Sequence, residues 1–176
     1  MPSERLWPAF NPKKGRSNMS IQGHSLLMSS VLIFSLSSQA APVRPISGRV
    51  WGVTTDSVSS LSAIATSLST FAKTPTVRIV FDENVPASDY SSAVTRLYPV
   101  SYIMGELLDS YYVKTYSVQQ YKDRATEYLN AFASKVDIWE IGNEINGEWL
   151  GRNSDVVAKA KEQAKRVQLL QEVRLR

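Results

Sequence analysis

The chain has 176 residues, 43% of them hydrophobic and 10% aromatic, enough for one domain with a real core and too apolar for a disordered chain. It has no cysteine and one histidine, His24, which excludes a disulfide scaffold, a zinc–thiolate site and a cysteine nucleophile, and leaves the body without a Ser-His-Asp triad or histidine metal cluster. The pI near 9.3 comes from the ends: residues 1–40 carry a net +3 and 156–176 a net +4, while 41–155 carry −3, which argues against a nucleic-acid groove on the folded body.

The first element reads as an address, with a buried core helix and an uncleaved membrane anchor as its alternatives. Lys13, Lys14 and Arg16 precede an apolar run over 25–36, followed by Ser38-Gln39-Ala40 and then Ala41-Pro42. Basic residues, a short apolar stretch and a small-x-small site predict a secretory signal peptide over 1–40, cleaved after Ala40, and a secreted mature chain of 41–176. The run of about 12 residues is short of the roughly 20 that cross a bilayer, so no stable membrane span remains after cleavage. A start at Met19 would drop the basic residues and weaken this signal.

From Ile46 onward strand-like and helix-like stretches alternate. Residues 48–54 are β-branched and glycine-flanked and read as a first strand. Leu61, Ile64, Ala65 and Leu68 repeat at helical spacing over 57–72, with Asp56 or Ser57 as the expected N-cap. Pro75 introduces a second strand over 76–81, and Pro86 to Asp89 turn into a helix over 90–97. A third strand is predicted over 100–108, a helix over 117–134, a fourth strand over 136–142, and a lysine-rich helix from Asp155. In that last helix Lys159, Lys161, Lys165 and Arg166 read as a solvated face.

Strands separated by helices predict an α/β fold with a parallel sheet, because a parallel crossover needs a helix-length connection. No Gly-x-Gly-x-x-Gly follows the first strand and no P-loop occurs, so no nucleotide cofactor is implied. A (β/α)8 barrel needs about 250 residues. The residues after position 40 suffice for roughly four of its eight units, a truncated TIM-barrel-like fold.

Residues 139–149 hold most of the chemistry. If the fourth strand stays regular, Glu140, Gly142 and Glu144 share a side. Asn143 and Glu144 then fall at the carboxyl-end rim, where barrel enzymes keep their active sites. Trp149 is suited to stack on a sugar face, while Asn146 and Glu148 suit sugar hydroxyls; Trp139 reads as core. Glu83, Glu106 and Asp109 stand at predicted strand ends and are candidates to line a pocket.

The segment Trp139-Glu-Ile-Gly-Asn-Glu144 resembles the Asn-Glu motif that closes strand four in the clan of retaining (β/α)8 glycosidases. The resemblance covers about 48–155. It implies Glu144 as general acid/base, Asn143 as a partner of the sugar 2-hydroxyl, and Arg78 as the active-centre arginine of strand two. From the residues alone, Glu144 is also readable as a solvated rim carboxylate, and Arg78 equally as a buried arginine paired with Asp82, Glu106 or Glu144. The resemblance implies a carbohydrate substrate, retaining hydrolysis and no required metal or cofactor. In that clan the nucleophile stands on strand seven, for which these residues offer no counterpart, so the expectation is a chain inactive by itself. The alternatives are a non-catalytic carbohydrate-binding or structural half-barrel, and a truncated gene model. Unpaired sheet edges and an inward-facing Val77 or Ile79 predict self-association.

Overall fold

A computed structural model of the chain describes residues 44–174, so the expected signal peptide of 1–40 lies outside the described residues. Four parallel strands, β1 (Gly52–Thr55), β2 (Thr76–Val80), β3 (Tyr102–Glu106) and β4 (Ile138–Glu140), form one sheet in the order β1-β2-β3-β4. Between and after them run α1 (Leu61–Ser69), α2 (Ser91–Leu97), α3 (Val118–Ala131) and α4 (Asn153–Arg174). The fold is therefore α/β with a parallel sheet, as the alternation predicts. No helix among the described residues is long and apolar enough to cross a membrane.

Parallel crossovers are almost always right-handed, so strands laid down in chain order put all their helices on one face. The core lies on that face. Val77, Ile79, Phe81, Ile103 and Trp139 meet Ala65 and Leu68 of α1, Val94 and Leu97 of α2, and Ala125, Tyr128 and Leu129 of α3. Phe81 stands at the centre, edge-on to Tyr90 at 4.8 Å and tilted against Tyr128 at 4.6 Å. Gly105 makes room for this: a Cβ there would come within 2.9 Å of the Trp139 ring and 3.1 Å of Phe81.

Alternation along the strands sends the other side chains to the opposite face. Thr54, Arg78, Met104 and Ile138 share one register level, and Val80, Glu106 and Glu140 the next. Val77 and Ile79 are both fully buried beneath the helices, which corrects the expectation that one of them is left exposed; the open face carries Arg78 and Val80 instead. Apolar exposure falls on the β1 edge, at Val50, Trp51 and Val53, and also at Phe71, Tyr111, Ile145 and Trp149 and along α4.

Local signals set most element ends. Ser117 caps α3 in a reciprocal capping box with Gln120, each side chain accepting from the other residue's backbone N–H. The start of α1 differs from the expectation of Asp56 or Ser57. Its N-cap is Ser60, without a side-chain bond, while the Ser57 hydroxyl lies against the Ser59 hydroxyl in the preceding turn. On α4, Lys159 is buried and donates to the Val113 carbonyl at 2.7 Å, so the supposed solvated lysine face loses one member to the core.

Two arginines fasten the ends of the sheet. Arg44 grips Asp137 just before β4 through two nitrogens, at 2.6 and 3.1 Å, and donates to the Tyr98 and Ser101 carbonyls. At the carboxyl ends, the buried Arg124 of α3 donates to the carbonyls of Phe81, Asp82, Val85 and Leu107. Backbone acceptors left behind where β2 and β3 stop are thereby satisfied, and the loops above them are held in place.

Candidate functional site

The candidate residues gather where β3 and β4 end. After Glu106, the chain passes Leu107 and Leu108 to Asp109, whose carboxylate accepts from Tyr111 N–H and caps a short 3-10 turn, Ser110–Thr115. After Glu140 the chain leaves the sheet at once. Gly142 and Glu144 both have left-handed backbones, with φ of 71° and 48°, so the regular alternation expected for Glu140, Gly142 and Glu144 stops at Glu140. Glycine takes that conformation readily; for Glu144 it is uncommon, and here the Glu144 carbonyl accepts from Gly147 N–H at 2.7 Å to close the turn. Gln163 of α4 pins this bend from below, donating to the Glu140 carbonyl at 2.6 Å and accepting from Gly142 N–H and the Tyr121 hydroxyl.

The turn brings Glu144 over the start of the 3-10 segment. The Ser110 hydroxyl donates to Glu144 Oε2 at 2.5 Å, and the Trp149 indole N–H donates to the same Ser110 oxygen at 3.1 Å. An exposed acid and an exposed aromatic face are thus joined through one buried serine. Trp149 is 47% exposed, while Trp139 is buried in the core as the strand pattern predicts.

A second cluster lies beside it on the open face of the sheet. Arg78 Nε donates to Glu140 Oε2 at 2.6 Å, and Arg78 Nη2 stands 2.7 Å from Glu106 Oε2. Of the partners expected for Arg78, Glu106 is present, Asp82 and Glu144 are not, and Glu140 takes the better-aligned bond. Asp82 instead accepts from the Tyr90 hydroxyl. The bond to Glu140, with the charges of Glu106, Glu140 and Asp109, holds Arg78 above the usual arginine range against the effect of burial.

Glu106 is only 2% exposed, and neither of its oxygens has a well-aligned hydrogen bond. Burial pushes its carboxyl up to about 7, with the charges of Glu140 and Asp109 adding to the rise. Arg78 pulls the other way, and the neighbouring Asn143 side chain does so more weakly. The two shifts agree physically: one guanidinium serves two carboxylates and gives its hydrogen bond to Glu140.

The structure therefore brings Glu144, Asn143, Arg78, Glu106, Asp109 and Trp149 to one end of the sheet. Glu106 is buried under the site as a support, and Asp109 spends one oxygen on a backbone cap. Asn146 is exposed on the turn after Glu144. Ser110, Gln163 and the pairing of Glu140 with Arg78 escape sequence reasoning. Glu140 sits inside the Asn-Glu segment, and Ser110 directly follows a candidate, so position alone flags both; nothing marks Gln163 within a lysine-rich helix. The larger hollows lie elsewhere, one of about 370 Å³ by Pro86, Tyr116 and Glu127, another of about 400 Å³ between α3 and α4. No group of three His, Cys, Asp or Glu among the described residues could hold a metal ion.

Comparisons with protein-family models, with curated proteins and with solved structures gave no match.

Proposed function

We propose that this chain is a carbohydrate-binding, glycosidase-like module, built as the first four units of a (β/α)8 barrel and exported by its N-terminal segment. The observation that carries the reading is the joining of Glu144 to Trp149 through Ser110 at the carboxyl end of a parallel sheet. A sugar ring needs an apolar face to stack on and an acid at its glycosidic oxygen, and this arrangement offers both. The one-sided helix layer favours a barrel half over a doubly wound sheet, which carries helices on both faces.

On this reading Glu144 is the general acid/base, Asn143 bonds a sugar hydroxyl, and Arg78 with Glu106 and Glu140 forms the charged floor. Retaining hydrolysis uses two carboxyl groups about 5–5.5 Å apart across the sugar. The other rim carboxyls described above, Glu106, Asp109 and Glu140, stand on β3 and β4 or the loop between them, alongside Glu144. That favours binding with proton donation over full covalent catalysis by this chain. The test is titration with oligosaccharides of different composition while tryptophan emission is followed. The expected result is a saturable change that Trp149→Ala abolishes. No response to any glycan would refute the reading.

A further inference from the structure

With Glu144 ionised, the hydrogen bonds around Ser110 have only one possible polarity. An indole nitrogen donates and never accepts, so Trp149 N–H is the donor and Ser110 Oγ the acceptor at 3.1 Å. The serine hydroxyl owns a single proton, and its other close contact is Glu144 Oε2 at 2.5 Å. That proton therefore goes to the Glu144 carboxylate, with Oε2 as its acceptor.

We propose that Ser110 is a positioning residue that holds the Glu144 carboxylate by Oε2, with Trp149 fixing the direction of the serine hydroxyl. The importance of that carboxylate rests on the reading of Glu144 as the acid/base. The relay itself does not. When Glu144 gives its proton to an acceptor oxygen of a ligand, the O–H bonding pair stays with the carboxylate and the charge spreads over both oxygens. The Ser110 bond to Oε2 is then charge-assisted. Ser110 is 3% exposed, so water has little access to replace it. The closed turn that ends at Gly147 holds the Glu144 backbone in place for this contact.

The arrangement has a spectroscopic signature. Ionisation of Glu144 strengthens the serine bond, and chained hydrogen bonds polarise one another, so the indole N–H of Trp149 should respond to the charge on Glu144. Other ionisable groups also surround the relay. Asp109 precedes Ser110, Glu148 precedes Trp149, Lys114 lies in the same 3-10 turn, and Glu106, Glu140 and Arg78 occupy the strand ends.

The experiment is proton–nitrogen NMR of the indole signals of the full chain from pH 3 to 8, with Trp149 assigned by its loss in Trp149→Phe. The Trp149 signal should move downfield in one step as Glu144 ionises. That step should vanish in Glu144→Gln, vanish in Ser110→Ala and survive in Ser110→Thr, which keeps the hydroxyl. A serine that merely fills space would change the position of the signal without abolishing its pH dependence. A step that persists in Glu144→Gln comes from the neighbouring groups and overturns the proposal; so does a step that persists in Ser110→Ala, or none in the unaltered chain. Should Ser110→Ala fail to fold, the unaltered chain and the other two variants still decide the matter. A titrating indole in a chain that binds no glycan would refute the proposed function and leave this inference standing.

Discussion

Arg78 gives its aligned Nε bond to Glu140 and only an ion-pair contact to Glu106, although Glu106 is the more deeply buried of the two carboxyls. The shallower group thus receives the hydrogen bond and the buried one carries the cost of desolvation. Two carboxylates at one register level of the open face cannot both be fully charged cheaply with a single guanidinium between them.

Stability should consequently fall as pH rises through the neutral range. The Glu106 carboxyl is raised from the ordinary 4.5 to about 7 in the folded chain, so between these values the folded state binds the extra proton. Unfolding free energy then decreases with rising pH across that window and levels off above it, a loss on the order of 3 kcal/mol. Urea unfolding at pH 5 and pH 8 measures the slope, and Glu106→Gln should flatten it. An unchanged slope in that variant would place the proton elsewhere.

Removing the shared cation should be costly mainly at high pH. Arg78→Met strands Glu106 and Glu140 together, and at pH 8 the expected loss is about 3 kcal/mol. This is the low end for a broken buried pair, because the Arg78 side chain retains 23% exposure. At pH 5 Glu106 is protonated and the loss should shrink. Adding Glu106→Gln to Arg78→Met should recover part of the deficit at pH 8, which a double-mutant cycle in urea would reveal.

Gly105→Ala probes the packing beneath the site. The new methyl group would press on the Trp139 and Phe81 rings, which belong to the main hydrophobic core. Overpacking of this kind typically costs about 1–3 kcal/mol. The expected signs are a lower urea midpoint and a shifted Trp139 emission, with the Ser110–Trp149 contact intact.

Much of this arrangement was legible in the sequence, and the parts that were not share a cause. Strand and helix order follows from local pattern, because Pro75, the β-branched 76–80 run and the Ser117–Gln120 box act over a few residues. The side of the sheet on which a residue falls does not. Val77 and Arg78 alternate in either case, and only the common placement of the helices decides which is covered. The site divides in the same way. Asn143, Glu144 and Trp149 stand within one short segment and are visible as a motif, whereas Ser110 reaches Glu144 from 34 positions away and Gln163 reaches Glu140 from the far helix. The break after Glu140 was missed because an apolar strand running into Gly142 gives no sign of where pairing stops.

Catalysis provides the sharpest test of the proposed function. Glu144 is exposed, bonded through one oxygen to Ser110, and free at the other to meet a glycosidic oxygen. A covalent route also needs a carboxylate on the far face of the sugar. Glu106 is buried and ion-paired, Glu140 holds Arg78, Asp109 caps Tyr111, and Glu83 follows β2 beside Tyr112, all on β2 to β4 or the connections between them. General acid catalysis alone contributes about 10²–10⁴-fold, far short of the acceleration that glycoside hydrolysis requires. The chain should therefore show no appreciable turnover of aryl glycosides, and Glu144→Gln should leave that low rate unchanged within error. Glycan binding should persist in the variant, since its neutral amide still accepts from Ser110. The measurement is release of nitrophenol from an aryl-glycoside panel, run beside the oligosaccharide titration on the same samples. Robust hydrolysis that disappears in Glu144→Gln would mean that a second carboxylate reaches the sugar, and would replace the binding reading with a catalytic one.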